Sequence, residues 1–169
     1  MPSITLLFKK NYLAMVANAA KGDTRLFQNF FIAIDGREQD ALNGGALGCG
    51  TVVSSILYLQ NSTLEFLKKP RWIQFTHANV PAVEKDMERN GWYRIEDMRG
   101  GAVLTWEPKP GADGAPHLHM GFYIGNDRAV SNGSNSTHMP EEHHVTYDGT
   151  RKIIRIWWHP ELEEVLIPE

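Results

Sequence analysis

The chain has 169 residues, 42% of them apolar and 22% charged, which predicts one globular domain with room for a sizeable core. A formal net charge of -3 removes the electrostatic case for binding nucleic acid or an anionic membrane surface. The single cysteine, Cys49, rules out an internal disulfide, so nothing in the chain requires an oxidising compartment.

In chain order, residues 2–8 read as a short strand or extended lead-in and Asn11 to Ala20 as a helix stopping near Gly22. The apolar runs Ile4 to Phe8 and Tyr12 to Ala17 are divided by Lys9-Lys10-Asn11, a poor match to a signal peptide although Ala17-Asn18-Ala19-Ala20 imitates a cleavage site. The default expectation is therefore cytoplasmic, with release by lysis or non-classical secretion left open. No run approaches ~18 consecutive apolar residues, so no integral membrane association is expected. Asp23-Thr24 reads as the cap of a second helix through Phe31, and Asp35 to Gly48 as a polar, glycine-rich loop. Cys49 then opens a helix with apolar residues at 52, 53, 56, 57 and 59, and Asn61-Ser62-Thr63 reads as the cap of a further short one. Pro81 to Glu88 is a helix with proline in its first turn, closed by Asn90-Gly91.

From Gly91 onward the pattern changes to short strands. Ala102 to Trp106 is a strand, Lys109 to Pro116 a loop, and His117 to Ile124 alternates strictly, with Leu118, Met120, Phe122 and Ile124 on one face. Gly125 to Arg128 is a tight turn and Ala129-Val130 opens the return strand, which makes a hairpin. Asn132 to His144 reads as a mobile polar loop, and Lys152 to Trp158 as the last strand. The fold class is α+β in a single domain over 1–169, helical over about 1–91 and sheet over about 92–169.

Two features carry chemistry. Cys49 stands where unpaired helix N–H groups and the positive end of the helix dipole favour a thiolate, and its flanking glycines suggest a sharp turn and close ligand approach. His119 stands on a rigid strand, with a hydrogen-bonding residue brought opposite it by the hairpin. Together they supply a nucleophile and a base for attack on an amide carbonyl, with the Cys49 N–H as oxyanion donor. His117 shares the His119 face and is a weaker candidate for the base. His138, His143, His144 and His159 with Glu141 and Glu142 match no helix-borne histidine pair, and around Pro140 they read as solvated loop histidines, so neither metal nor cofactor is expected. The five tryptophans read as core and cleft walls, with at least one of Trp157 and Trp158 partly exposed because successive strand residues face opposite ways.

A cysteine opening a helix, followed by His119-Met120-Gly121-Phe122-Tyr123-Ile124-Gly125-Asn126, resembles the NlpC-type papain-like cysteine peptidases and their CHAP amidase relatives. The resemblance covers roughly Gly44 to Trp158. It implies a papain-like α+β fold with the nucleophile helix packed on an antiparallel sheet, and a Cys49–His119 pair completed by a third polar residue at Ser131. Hairpin parity leaves that third residue open: a two- or four-residue loop puts Asn132 on the His119 face, a three-residue loop Ser131. The chain departs from the family at the nucleophile, with Gly48-Cys49-Gly50-Thr51 in place of Asp-Cys-Ser-Gly, and lacks the tyrosine that often precedes it. The implied activity is amide hydrolysis of a peptide or peptidoglycan-fragment substrate, as a cell-wall peptidase or amidase. The alternatives are acyl transfer or hydrolysis on another amide or a lipid, and a non-catalytic binding domain on the same scaffold.

Overall fold

The computed structural model describes residues 5–111 and 113–163, and the first part of the 2–8 lead-in lies outside them. Helix α1 (Phe8–Ala19) begins slightly earlier than its sequence pattern and buries Tyr12 and Val16. The expected second helix through Phe31 does not form. Residues 24–30 run through turns and irregular backbone, and strands β1 (Phe31–Ile34) and β2 (Arg37–Asp40) pair as a hairpin that reaches into the stretch expected to be a polar loop. Its turn is Asp35-Gly36, both at positive φ, so the Asp-Gly signal makes a hairpin turn where a loop was expected from Asp35.

Helix α2 (Cys49–Phe66) starts at Cys49 as expected and then runs unbroken through Asn61. Asn61 caps nothing. Its buried amide donates to Ile73 O and accepts from Trp72 N–H, which ties α2 to the following loop. Helix α3 (Val80–Arg89) has the capping its sequence predicts: the Asn79 side chain accepts from Ala82 N–H, and Pro81 occupies the first turn, where no N–H is needed.

The remaining strands are β3 (Tyr93–Ile95), β4 (Val103–Pro110), β5 (Pro116–Gly125), β6 (Arg128–Asn132), β7 (Pro140–His144) and β8 (Ile153–Trp158). They form one antiparallel sheet in the order β3-β8-β4-β5-β6-β7. The α+β class therefore holds. The stretch Asn132 to His144 is not simply a loop, because its second half is β7, paired along β6 from Arg128–His144 to Asn132–Pro140.

Helices α1, α2 and α3 and one face of the sheet close the main core, which includes Val52, Ile56, Trp72, Met87, Met120, Phe122 and Trp157. A smaller cluster of Leu104, Trp106, Ala129 and Val145 forms on the sheet's other face, under Tyr123 and Tyr147. Trp157 and Trp158 are both buried, contrary to the parity expectation, since both join the main core and Arg94 and Arg99 cover their rings. No helix of the described residues is long and apolar enough to cross a membrane.

Candidate active site

The approach to Cys49 is held by polar contacts of the chain with itself. The Asp40 carboxylate accepts from the N–H groups of Phe30, Leu42 and Gly44 and from the Asn29 amide. Slight burial raises its pKa, but these hydrogen bonds prevail and hold it at about 2. Beyond it, Gly45 O accepts from the buried Asn132 amide at 2.7 Å. The glycines around Cys49 make room for protein rather than for ligand. A Cβ on Gly50 would lie 2.9 Å from the Asn79 backbone, and one on Gly48 would lie 3.1 Å from Gly45 O and 3.3 Å from Asn132 Oδ1. Close contact with the segment before α3 thus accounts for glycine at position 50, where the resembled family carries serine.

The β5–β6 ladder stops at the Gly121–Ser131 pair. Just beyond it, Cys49 at the start of α2 meets β5: its thiol donates to Leu118 O at 3.8 Å, and Met120 N–H reaches back to the sulfur. Cys49 is 7% exposed. Burial is the largest influence on its thiol and pushes the pKa up, against hydrogen bonds from the Met120 and Gly50 amides and the charge of Arg151. The helix start alone predicts the opposite direction, and desolvation outweighs it.

His119 lies between Cys49's two contacts on β5, and its ring packs on Trp106 and Tyr147. Its Nε2 is 2.8 Å from Ser131 Oγ. Asn132, the other residue left open by hairpin parity, bonds to Gly45 O and Ser134 Oγ. A bulge explains the choice. Asn126 and Asp127 form a two-residue turn at positive φ, but the register shifts between Tyr123–Ala129 and Gly125–Arg128, which leaves Ile124 as an extra residue. Turn and bulge together have the parity of a three-residue loop, so Ser131 shares the face of Gly121 and His119. Gly121 permits this contact, since a Cβ there would lie 2.6 Å from Ser131 Cβ and 2.5 Å from Val130 O.

Buried Ser131 is the centre of a larger network that reaches two half-buried rings. Its hydroxyl also contacts His143 Nε2 at 2.8 Å and Tyr147 OH at 2.9 Å, while the His143 and Tyr147 rings stack 4.0 Å apart. The protons can be assigned from one fixed acceptor. His143 Nδ1 faces His144 O at 2.8 Å and must donate to it, which makes Nε2 of the neutral ring an acceptor. Ser131 therefore donates to His143 and accepts from Tyr147 O–H and His119 Nε2–H. That leaves His119 Nδ1 as the basic nitrogen, with no hydrogen bond among the described residues.

Burial first, then the charges of Arg151 and His143, pull the His119 pKa down to about 3, so the imidazole is neutral at rest. Burial likewise lowers His143, against its bond to His144 O, and raises Tyr147 to about 12, so neither ring is charged near neutrality.

Cys49 and His119 both line a cleft of about 540 Å³ walled by residues such as Leu47, Val80, Pro81, Pro116 and Arg151. His117 lies at its rim and pairs with Asp113 at 2.8 Å, apart from the Ser131 network. Of the histidines expected to be solvated, His143 belongs to the network and His159 is buried against Asn90 O. Sequence reasoning missed His143 and Tyr147. The signal available was the Pro140 to His144 stretch as a possible strand beside β6, which would have carried His143 to Ser131. No family model matches the chain, and no curated protein matches it.

Proposed function

We propose that the protein is a papain-like cysteine hydrolase that cleaves an amide bond, with stem peptides of peptidoglycan as the expected substrate. One observation carries this reading: a buried His119 whose Nε2–H is taken by Ser131, leaving Nδ1 as the only basic nitrogen of the ring, in the same cleft as the lone cysteine. With both groups neutral at rest, His119 Nδ1 accepts the thiol proton as the sulfur attacks the carbonyl carbon. The C–S bond forms, the carbonyl electrons move to oxygen, and the free amide N–H groups at the start of α2 stabilise that charge. Collapse of this intermediate breaks the C–N bond, and His119 returns the proton to the leaving amine. Water then cleaves the thioester by the same route and restores the thiol.

The test is turnover of a purified stem-peptide fragment, followed by mass spectrometry. Wild type should release the product amine, Cys49→Ala should abolish release, and His119→Ala should reduce it by at least ~100-fold, the low end of what a positioned base contributes. Turnover that survives Cys49→Ala overturns the reading. The raised thiol and its bond to Leu118 O favour a second reading, a binding domain on the same scaffold. Fragment binding by wild type and Cys49→Ala alike, with no cleavage by either, would select it.

A further inference from the structure

The cleft has a charge pattern that its cysteine chemistry does not use. Lys109 and Arg151 line it, and no Asp or Glu does among the described residues, although the chain carries 20 acidic residues against 17 Lys and Arg. The other arginines beside the sheet have acidic partners: Arg155 pairs with Glu84 and Arg128 with Glu142, each at 2.7–2.8 Å. Arg151 does not. Its Nε donates to Glu107 O and its Nη2 to His117 O, both backbone carbonyls, at 3.0 Å.

Glu107, whose charge acts on Arg151 without an ion pair, accepts from Lys152 N–H, and Asp113 accepts from His117 and Ala115. Lys109 is likewise held by a carbonyl, Thr150 O. Two neutral acceptors fix the half-buried guanidinium without cancelling its charge, and that charge reaches both Cys49 and His119. A fixed, incompletely neutralised guanidinium beside apolar walls is a receptor for a planar anion, which it can bind through paired N–H donors.

We infer that Arg151, assisted by Lys109, forms a carboxylate-binding subsite beside Cys49, so that the preferred substrate bears a carboxylate close to the bond attacked. The inference rests on the hydrolase reading. It makes Arg151 a specificity residue that holds substrate, while Cys49 and His119 carry out the bond-making.

The experiment compares alkylation of Cys49 by iodoacetate and by iodoacetamide, which deliver the same leaving group on an anion and on a neutral molecule. Rates are measured at pH 8 by mass spectrometry on wild type, Arg151→Gln, Arg151→Lys and Lys109→Gln, with glutathione as the reference thiol. Loss of Arg151 also raises the thiol, which slows both reagents together, so the ratio of the two rates isolates anion recognition. Wild type should favour iodoacetate about tenfold more than glutathione does, the effect of one charge-assisted hydrogen bond. Arg151→Gln should return the ratio to the glutathione value, and Arg151→Lys should keep part of the preference. Succinate should protect wild type from iodoacetamide and leave Arg151→Gln unprotected.

Brisk alkylation by both reagents at the glutathione ratio in wild type, or a ratio unchanged in Arg151→Gln with native melting behaviour, overturns the subsite while leaving the hydrolase reading intact. If Cys49 resists both reagents even at pH 9, the nucleophile is closed off and the hydrolase reading fails, and the subsite with it.

Discussion

A serine hydroxyl has one proton to give and two lone pairs to fill, and Ser131 commits all three, to His143, His119 and Tyr147. Replacing it with alanine takes the partner from His119 Nε2 and lets the ring turn or change tautomer, so Nδ1 is no longer held as the base. Ser131→Ala should lower kcat about 10- to 100-fold, the kinetic equivalent of losing ~1–3 kcal/mol of positioning. It should also cost stability, because one buried and two partly buried partners lose a bond at once. Asn132→Ala acts elsewhere, releasing Gly45 O and loosening the approach to Cys49 while His119 keeps its partner. Its melting temperature should fall, yet its kcat should stay within a few-fold of wild type, and only Ser131→Ala should change the shape of the kcat/KM pH profile. Steady-state kinetics across pH on both variants checks this, and equal kcat losses with parallel profiles would dismiss Ser131 as the orienting group.

At the scale of elements, one extra residue in a hairpin decides which side chain meets the histidine. The Ile124 bulge turns Ser131 to the His119 face, and Gly121 leaves the space in which the two strands can carry that contact. Gly121→Ala puts a methyl within 2.6 Å of Ser131 Cβ and against the Val130 carbonyl, so strands or side chains must shift. The expected cost is about 1–3 kcal/mol of stability with a loss of turnover. Gly100→Ala is the control, since a Cβ there meets nothing within 4 Å and the residue is not at positive φ, and it should be near neutral. Urea melts of the two variants measure the difference, and a Gly121→Ala as stable and active as Gly100→Ala would discount the close approach. The bulge also marks the limit of what the sequence discloses. Alternation over 117–124 placed β5 and its apolar face, and the position of Cys49 before an apolar run placed the start of α2. Register could not be read in the same way, because a bulge leaves the local pattern intact and moves every later residue by one. The β1–β2 hairpin was legible in Asp35-Gly36, but the stretch from Asp35 to Gly48 reads as a polar loop by composition. Strand β7 was hidden for a different reason: Glu141, Glu142 and His143 are polar, and their strand conformation comes from pairing with β6 rather than from intrinsic preference.

Across the whole molecule, His119, His143 and His159 are all held below the usual histidine range, in each case chiefly by burial. They sit in different places, the first two around Ser131 and the third against Asn90 O and the Trp72 and Trp92 rings. The sign of the pH dependence follows from the proton count. In the unfolded chain each imidazole takes up a proton near pH 6.5, while the folded protein keeps it neutral to a lower pH, about 3 for His119. Between those limits the unfolded state binds more protons, so stability is full above about pH 6.5 and falls as the pH drops towards 3. One such group contributes at most about 1.4 kcal/mol per pH unit, so several acting together should give a steeper slope near pH 5. Urea unfolding at half-unit steps from pH 8 to 4 should show a plateau above 7 and a decline exceeding one proton's worth below 6. His159→Gln, remote from Cys49, should make that decline shallower without altering the pH dependence of turnover. A stability that stays level down to pH 4 would mean that these histidines are open to water in the folded protein. In that case the neutral His119 on which the proposed proton transfer depends would have lost its physical basis.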